Sequence, residues 1–306
     1  MSTDNRPVAI EQAHPLFAAI VTGIDVGEQP TPETIDTVER AMAEYAVVCL
    51  RGSRPNDDQH LAFSRSFGPL ELPPDLKISS MSFKPRIAPG LYDASNLDAD
   101  GNIVGIDSTK RKYSKGNELF HTDSSFNDLP TKWSLLQAHI VPPVGGNTEF
   151  IDTRAVYDAL SDEMKARVEG LTAEHNLWHS RERGGFTTVT EEMKKAMPAA
   201  RHALVRTSAN GRKTLYIGAH AASIVGMDAE EGRELLDELY AFATQPQFVY
   251  SHRWQDGDLV IWDNRCTLHR ATAFEDQLYK RDMRRTTVNE YGEERSSQGA
   301  REKSAA

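Results

Sequence analysis

The chain has 306 residues, 39% of them hydrophobic and 26% charged, with a formal net charge of −10; this is a water-soluble globular composition whose acidic balance argues against nucleic-acid or membrane partners. No stretch reaches the roughly 18 apolar residues of a membrane span, and the opening MSTDNRPVAI holds no signal-peptide core. Cys49 and Cys266 are too few for a disulfide framework and too far apart for a close-spaced zinc motif, so the expected compartment is the reducing cytoplasm.

In chain order, TPETIDTVERAMAEYA reads as a helix with Thr31 as N-cap and Pro32 at the first helical position. AVVCL (46–50) reads as a buried strand, and NDDQHLAFSRSFG as a second helix capped by Asn56. Residues 71–117 carry several Pro and Gly without a sustained period, as a stretch that is either functional or disordered does. Strands are expected at 133–140 and 148–152, a helix after Ser161, and a polar Gly-containing stretch at about 180–200. Further strands follow near 203–207 and 214–218, then a helix in DAEEGRELLDELYAFAT. The last third is strand-rich (FVYSHRW, DLVIWD, CTLHRA, DMRRTTV), and 291–306 is polar and expected to be a disordered tail. The fold class expected is mainly β with flanking α-helices: one domain over 1–290, an antiparallel double-sheet barrel with helices packed outside.

One stretch carries chemistry. ELFHTDSSF places His121 and Asp123 two residues apart. That spacing suits a turn, because Asp and Ser bond to their own backbone. It also suits a metal site, because residues i and i+2 of a strand share a face. The motif alone does not decide, as about one His-x-Asp is expected by chance in a chain of this size. His269, 146 residues after Asp123, completes the chain order of a two-His-one-carboxylate set, with Arg281 and Arg285 at +12 and +16 from it. If DMRRTTV is a strand, Arg281, Met283 and Arg285 share one face and Arg284 points away into solvent. Two inward guanidiniums need anions to meet them. The opposite parity, with Arg284 inward and paired, is the alternative.

Together AFSRSFGPLE, HTDSSF, PPVGGNTEFIDTRAVYDAL, GRKTLYIGAHA, WDNRCTLHRA and RDMRRTT resemble the taurine/2,4-dichlorophenoxyacetate family of Fe(II)- and 2-oxoglutarate-dependent dioxygenases. The likeness is greatest to the aryloxyalkanoate branch and spans most of the chain. It implies a double-stranded β-helix (jelly-roll, cupin-like) core and Fe(II) held by His121, Asp123 and His269. It further implies that Arg281 and Thr148 bind the 2-oxoglutarate co-substrate, that O2 is consumed, and that Arg285 and Lys77 meet the anionic group of the primary substrate. A second substrate-side lysine of those enzymes falls near Asn102 here. The implied reaction hydroxylates a small anion, an aryloxyalkanoate giving a phenol and glyoxylate with succinate and CO2; taurine, an alkylsulfonate or another small acid is the alternative substrate. The stretches 71–117 and 180–200 are expected to be lids over the site. The expected partners are the small anionic substrate and, as an open alternative, further copies of the chain.

Other residues have milder readings. His175 and His179 sit at a helical interval, but LTAEHNLW reads as a strand. His220 either lines the site or packs in the core. Trp254 and Trp262 are expected to pack, the latter near His269, and Cys266 to be a small buried residue. A zinc hydrolase or isomerase, or a jelly-roll binding protein without activity, would use the same triad but leaves the paired arginines without a reason.

Overall fold

A computed structural model describes residues 7–73, 86–208 and 211–296; Lys77 lies outside them. The helix Pro32–Tyr45 starts where Thr31 Oγ1 accepts from the Thr34 N–H at 3.2 Å. The helix Asp57–Arg65 starts on a reciprocal cap, Asn56 Oδ1 taking the Gln59 N–H at 3.0 Å and Gln59 Oε1 taking the Asn56 N–H at 2.8 Å. Both caps stand where the sequence puts them, because such a cap satisfies N–H groups that the first turn leaves open.

Among the described residues, nine strands form the larger sheet. Its centre runs Val47–Leu50, Leu259–Asp263, Thr131–Ile140, Asp282–Asn289, with Tyr92–Asp93 also paired to the last. A second antiparallel sheet runs Val249–His252, Thr148–Asp152, Thr267–Ala271. The strict alternation of Thr131–Ile140 explains how the two pack. Trp133 and Leu135 face the two N-terminal helices, in a cluster with Val38, Met42, Leu61 and Phe63. Leu136 and Ala138 face inward, with Val260, Trp262, Met283 and Phe150. Phe150 belongs to the second sheet, whose other side packs Ile151 and Leu268 on Leu235 and Leu239 of the helix Ala229–Ala243. This mainly β double-sheet layout is the jelly roll that the sequence implies.

Three expectations are corrected. Arg284, read as solvated, lies opposite Gln137 on the outer face and is ion-paired to Asp57 and, at 3.5 Å, to Asp282. The 180–200 stretch, read as polar and without a period, carries parts of two short helices, Leu177–Arg183 and Glu191–Ala196, joined by non-helical 184–190 around a cluster of Trp178, Phe186, Met193 and Met197. The start of the tail is ordered: Arg295–Ser296 pairs in parallel with Leu70–Leu72, and Glu294 bonds Arg65 at 3.0 and 3.1 Å. A two-residue strand added to a sheet edge has no hydrophobic period of its own to reveal it.

His60 and His175 are fully buried, and burial pushes each down from 6.5 to about 3. They are neutral in the folded protein, whereas the unfolded chain protonates them near 6.5. Their contribution is therefore complete above about pH 6.5 and is lost as pH falls toward 3, at roughly 1.4 kcal/mol per pH unit for each. Urea melts of chelated protein should show a lower midpoint at pH 5 than at pH 7.5. An unchanged midpoint would mean that these rings are not buried as neutral groups.

Candidate active site

Between the two sheets, His121 and His269 form an isolated antiparallel bridge, with N···O distances of 3.0 and 2.8 Å in the two directions. The chain then turns at once: Ser124 has φ +56 and the Asn127 N–H donates to Ser124 O at 2.9 Å. Features of both readings of His-x-Asp meet here: His121 is paired as in a strand, and Asp123 stands at the entry to the turn. His121, Asp123 and His269, all buried, offer donor atoms within 4.8 Å of one another.

The protonation states suit a cation. Burial lowers His121 to about 4, and burial with the neighbouring His121 lowers His269 to about 3, so both imidazoles are neutral. His121 Nδ1 donates to Leu119 O at 2.8 Å, which leaves Nε2 with its lone pair. Burial pushes Asp123 up, but the Arg285 guanidinium and the two histidines outweigh it and hold the carboxyl well below its usual range. Two neutral imidazoles and one carboxylate fit a divalent first-row metal with positions left open.

Behind Asp123 stands a set of residues the sequence did not single out. Ser134 Oγ donates to Asp123 Oδ2 at 2.7 Å and takes the Asn264 Nδ2–H at 2.9 Å. Asn264 Oδ1 accepts from Trp262 Nε1 at 2.9 Å, and its backbone oxygen accepts from Thr122 at 2.7 Å. The available signal was a polar residue, Ser134, on the inner face of an apolar strand, and an Asn beside Trp262. Such outer partners orient a ligand carboxylate. Ser134→Ala or Asn264→Leu should weaken metal binding by about 10–100-fold, measured by competition with a chromophoric chelator. Unchanged affinity in both would remove this support role.

A cavity of about 230 Å³ opens beside the triad. Thr148, Arg281 and Arg285 all line it, together with residues 93–96 and Lys110, Arg111, Ser114, Lys115 and Asn117 of the long insertion. No residue of 180–200 does so; instead Arg181 braces the 113–117 segment, donating to Asn117 Oδ1 at 2.7 Å and lying 4.2 Å from the Tyr113 ring. Asn102 is also away from the wall, in a turn where its N–H donates to Asp98 Oδ1 at 2.9 Å. His220 is buried against His121 and Phe126, with ring centroids at 5.5 and 5.1 Å, so it packs behind the triad.

Most cations at the cavity are already matched. Lys110 meets Asp93 at 3.1 Å, Arg111 meets Asp276 at 2.7 Å, Lys115 meets Glu118 at 2.6 Å, and Arg285 meets Asp123. Arg285 also lies 4.5 Å from the Tyr92 ring, and the Tyr92 hydroxyl donates to buried Glu71 at 2.7 Å. Among the described residues, Arg281 alone of these cations meets no carboxylate. It is 8% exposed, bonds only Gly146 O (3.2 Å), Ala94 O (3.4 Å) and Thr148 Oγ1 (3.5 Å), and burial lowers it to about 10. A buried guanidinium so placed calls for an anion from outside the chain.

The family described as taurine catabolism dioxygenase TauD, TfdA family matches residues 9–287. This chain belongs to the TauD/TfdA family. Within it, the chain is 44% identical over 282 residues to an alpha-ketoglutarate-dependent 2,4-dichlorophenoxyacetate dioxygenase of Cupriavidus pinatubonensis, covering 92% of this chain and 97% of that protein. It is 36% identical over 276 residues to an (S)-phenoxypropionate/alpha-ketoglutarate-dioxygenase of Sphingobium herbicidovorans, covering 87% and 90%. The crystal structure of AAD-2 with Mn(II) and N-oxalylglycine superposes with a TM-score of 0.84 at 44% identity, over 93% of this chain and 97% of that one. The TauD/TfdA fold thus covers both sheets and the insertion that walls the cavity.

The buried groups also include a second cluster of potential ligands, Cys49, His252 and Asp258. Asp258 is already held by Arg51 at 3.1 and 3.2 Å and by His252 at 3.1 Å, and burial pushes the Cys49 thiol far up. Its charges are balanced within the chain, so it serves structure.

Proposed function

We propose that this chain is an Fe(II)- and 2-oxoglutarate-dependent dioxygenase of small anionic substrates, with aryloxyalkanoates as the substrate class. The observation that carries the reading is the carboxylate-free Arg281 buried beside a His/Asp/His set. A metal hydrolase with the same triad has no use for that charge, whereas a dicarboxylate co-substrate that reaches the metal with one end needs a cation for the other.

His121, Asp123 and His269 would hold Fe(II), Arg281 and Thr148 the far carboxylate of 2-oxoglutarate, and Arg285 the carboxylate of the substrate. Lys77 is proposed as a second contact for that carboxylate. With 2-oxoglutarate and O2, the iron supplies the oxidising chemistry that hydroxylates an unactivated carbon and leaves succinate and CO2. The chain's own part is to exclude water, align the C–H bond and match charge. On an aryloxyacetate, the carbon that gains the hydroxyl also bears the ether oxygen, and the resulting hemiacetal collapses to a phenol and glyoxylate. The names of the relatives from Cupriavidus and Sphingobium support this class over taurine. Two buried free thiols, Cys49 and Cys266, accord with a reducing cytoplasm, and among the described residues no helix is long and apolar enough to cross a membrane.

The test is succinate release from 2-oxoglutarate in air with Fe(II) and ascorbate, over a panel of aryloxyacetates, aryloxypropionates, arylsulfonates and taurine. Aryloxyalkanoates should give the fastest turnover, and their neutral esters should lose most of it. Turnover with taurine alone would move the substrate class, and turnover with zinc and no 2-oxoglutarate would replace the reaction class.

A further inference from the structure

Thr148 opens the strand Thr148–Asp152, is 3% exposed, and lines the cavity next to Arg281. Its hydroxyl oxygen accepts from the Trp254 indole N–H at 3.0 Å and faces Arg281 Nη2 at 3.5 Å. A hydroxyl has two lone pairs and one proton. Donors stand at both lone pairs, so the proton must point in the remaining direction. Among the described residues, no acceptor lies within hydrogen-bond distance of it. A buried donor without an acceptor is costly, and a bound anion would remove that cost.

Trp254 is held firmly enough to set this polarity. Its indole can only donate, so the contact cannot run the other way. The ring stands edge-to-face on His252, with centroids 4.7 Å apart and planes at 85°. His252 is fixed at both nitrogens, by Asp258 at 3.1 Å and by the Tyr250 hydroxyl at 3.1 Å, and Asp258 is fixed in turn by Arg51. His252 is also the register partner of Thr148 across the two strands.

We propose that Trp254 is a positioning residue for the co-substrate: by donating to Thr148 Oγ1 it commits the Thr148 proton to the far carboxylate that Arg281 holds. This rests on the reading of Arg281 and Thr148 as the 2-oxoglutarate contacts. Without the indole N–H, the hydroxyl can rotate, and donation to the carboxylate becomes one orientation among several. The effect is confined to the far carboxylate, so an analogue of equal length without it, 2-oxovalerate, is insensitive to Trp254.

The experiment is calorimetric titration of the Mn(II)-loaded protein with 2-oxoglutarate and with 2-oxovalerate, in wild type, Trp254→Phe, Thr148→Val, the double variant, Thr148→Ser and Arg281→Ala. Trp254→Phe should weaken 2-oxoglutarate by roughly three- to tenfold, the size of one hydrogen bond, and leave 2-oxovalerate unchanged. The double variant should match Thr148→Val alone, and Thr148→Ser should bind like wild type. Equal weakening of both ligands by Trp254→Phe would mean a merely structural role, and effects that multiply in the double variant would mean that Trp254 does not act through Thr148; either result overturns the proposal. If Arg281→Ala abolishes the preference for 2-oxoglutarate but Trp254→Phe leaves it intact, only this inference falls. If the preference survives Arg281→Ala, the co-substrate reading falls, and this inference with it.

Discussion

His269→Ala is expected to abolish turnover and metal retention while leaving the fold in place. The ring supplies one of the three clustered donor atoms, and losing a ligand should cost more than the 10–100-fold typical of losing an outer partner. The backbone does not depend on the ring. The strand Thr267–Ala271 keeps its pairing with Thr148–Asp152, and the His121–His269 bridge is made by main-chain atoms. Asp123→Ala should behave differently, although it removes a ligand too. Asp123 is the carboxylate partner of Arg285, and truncating it leaves the guanidinium without its ion-pair partner. Breaking a buried pair from one side costs about 3–5 kcal/mol. Asp123→Ala should therefore lose activity and also melt well below His269→Ala when both are metal-free. The checks are metal content after loading, succinate release, and thermal melts in chelator. Near-normal turnover of His269→Ala under limiting iron would sink the triad assignment, and equal melting of the two variants would sink the charge-balance argument.

The legible part of this protein is the part set by spacing along one strand or by cap chemistry. Thr31, Asn56 and the strand at 133–140 are local, and local rules found them. Arg281 and Arg285 were found by their spacing after His269, and parity held for Arg285, which the register from Met283 onward places opposite inward Leu136; Arg281 precedes the strand, beyond a register shift between Asp282 and Met283. The same rule failed to find the surroundings of Arg284. Parity says which face a residue takes, and says nothing of a helix start, Asp57, that packs over that face from 227 residues away.

The supporting residues were hidden for the same reason. Glu71 accepts from Tyr92, Ser124 and Asn127, joining three segments 21 to 56 residues apart. Nothing in RSFGPLE marks that glutamate as buried, and its burial, which raises its pKa, follows only from the Leu70–Leu72 strand pairing with Thr287 and Val288. Trp254 was read as packing, which it does; its polar tip matters because the second sheet sets His252 beside Thr148. Composition set 71–117 apart from its neighbours, and several of its described residues wall the cavity. The similar polarity of 180–200 misled, because two short helices around Trp178 bury few residues and so leave little apolar period to read.

Arg281 and Arg285 should fail in different ways when truncated, and Arg284 in a third. Among the described residues Arg281 meets no carboxylate, and under the proposed function its anion is 2-oxoglutarate. Removing one side of a buried charge pair costs roughly 2–5 kcal/mol, and each 1.4 kcal/mol is about tenfold in affinity. Arg281→Ala should raise KM for 2-oxoglutarate by about 30-fold or more, with a smaller effect on the primary substrate. Arg285→Ala should raise KM for the substrate instead, and 2-oxoglutarate consumption without substrate should persist. Metal affinity should not fall in Arg285→Ala, because the change takes a positive charge away from Asp123. Arg284 contributes nothing to the cavity wall; it ties the start of the helix Asp57–Arg65 to Asp282, which also carries Arg86 at 2.6 Å. Arg284→Ala should leave both KM values unchanged and cost about 1–3 kcal/mol of stability, between the values for exposed and buried pairs. Steady-state kinetics with each substrate varied in turn, paired with urea melts, separate the three. A KM effect in Arg284→Ala, with Arg285→Ala silent, would put the strand out of register with this structure and reassign the substrate anchor.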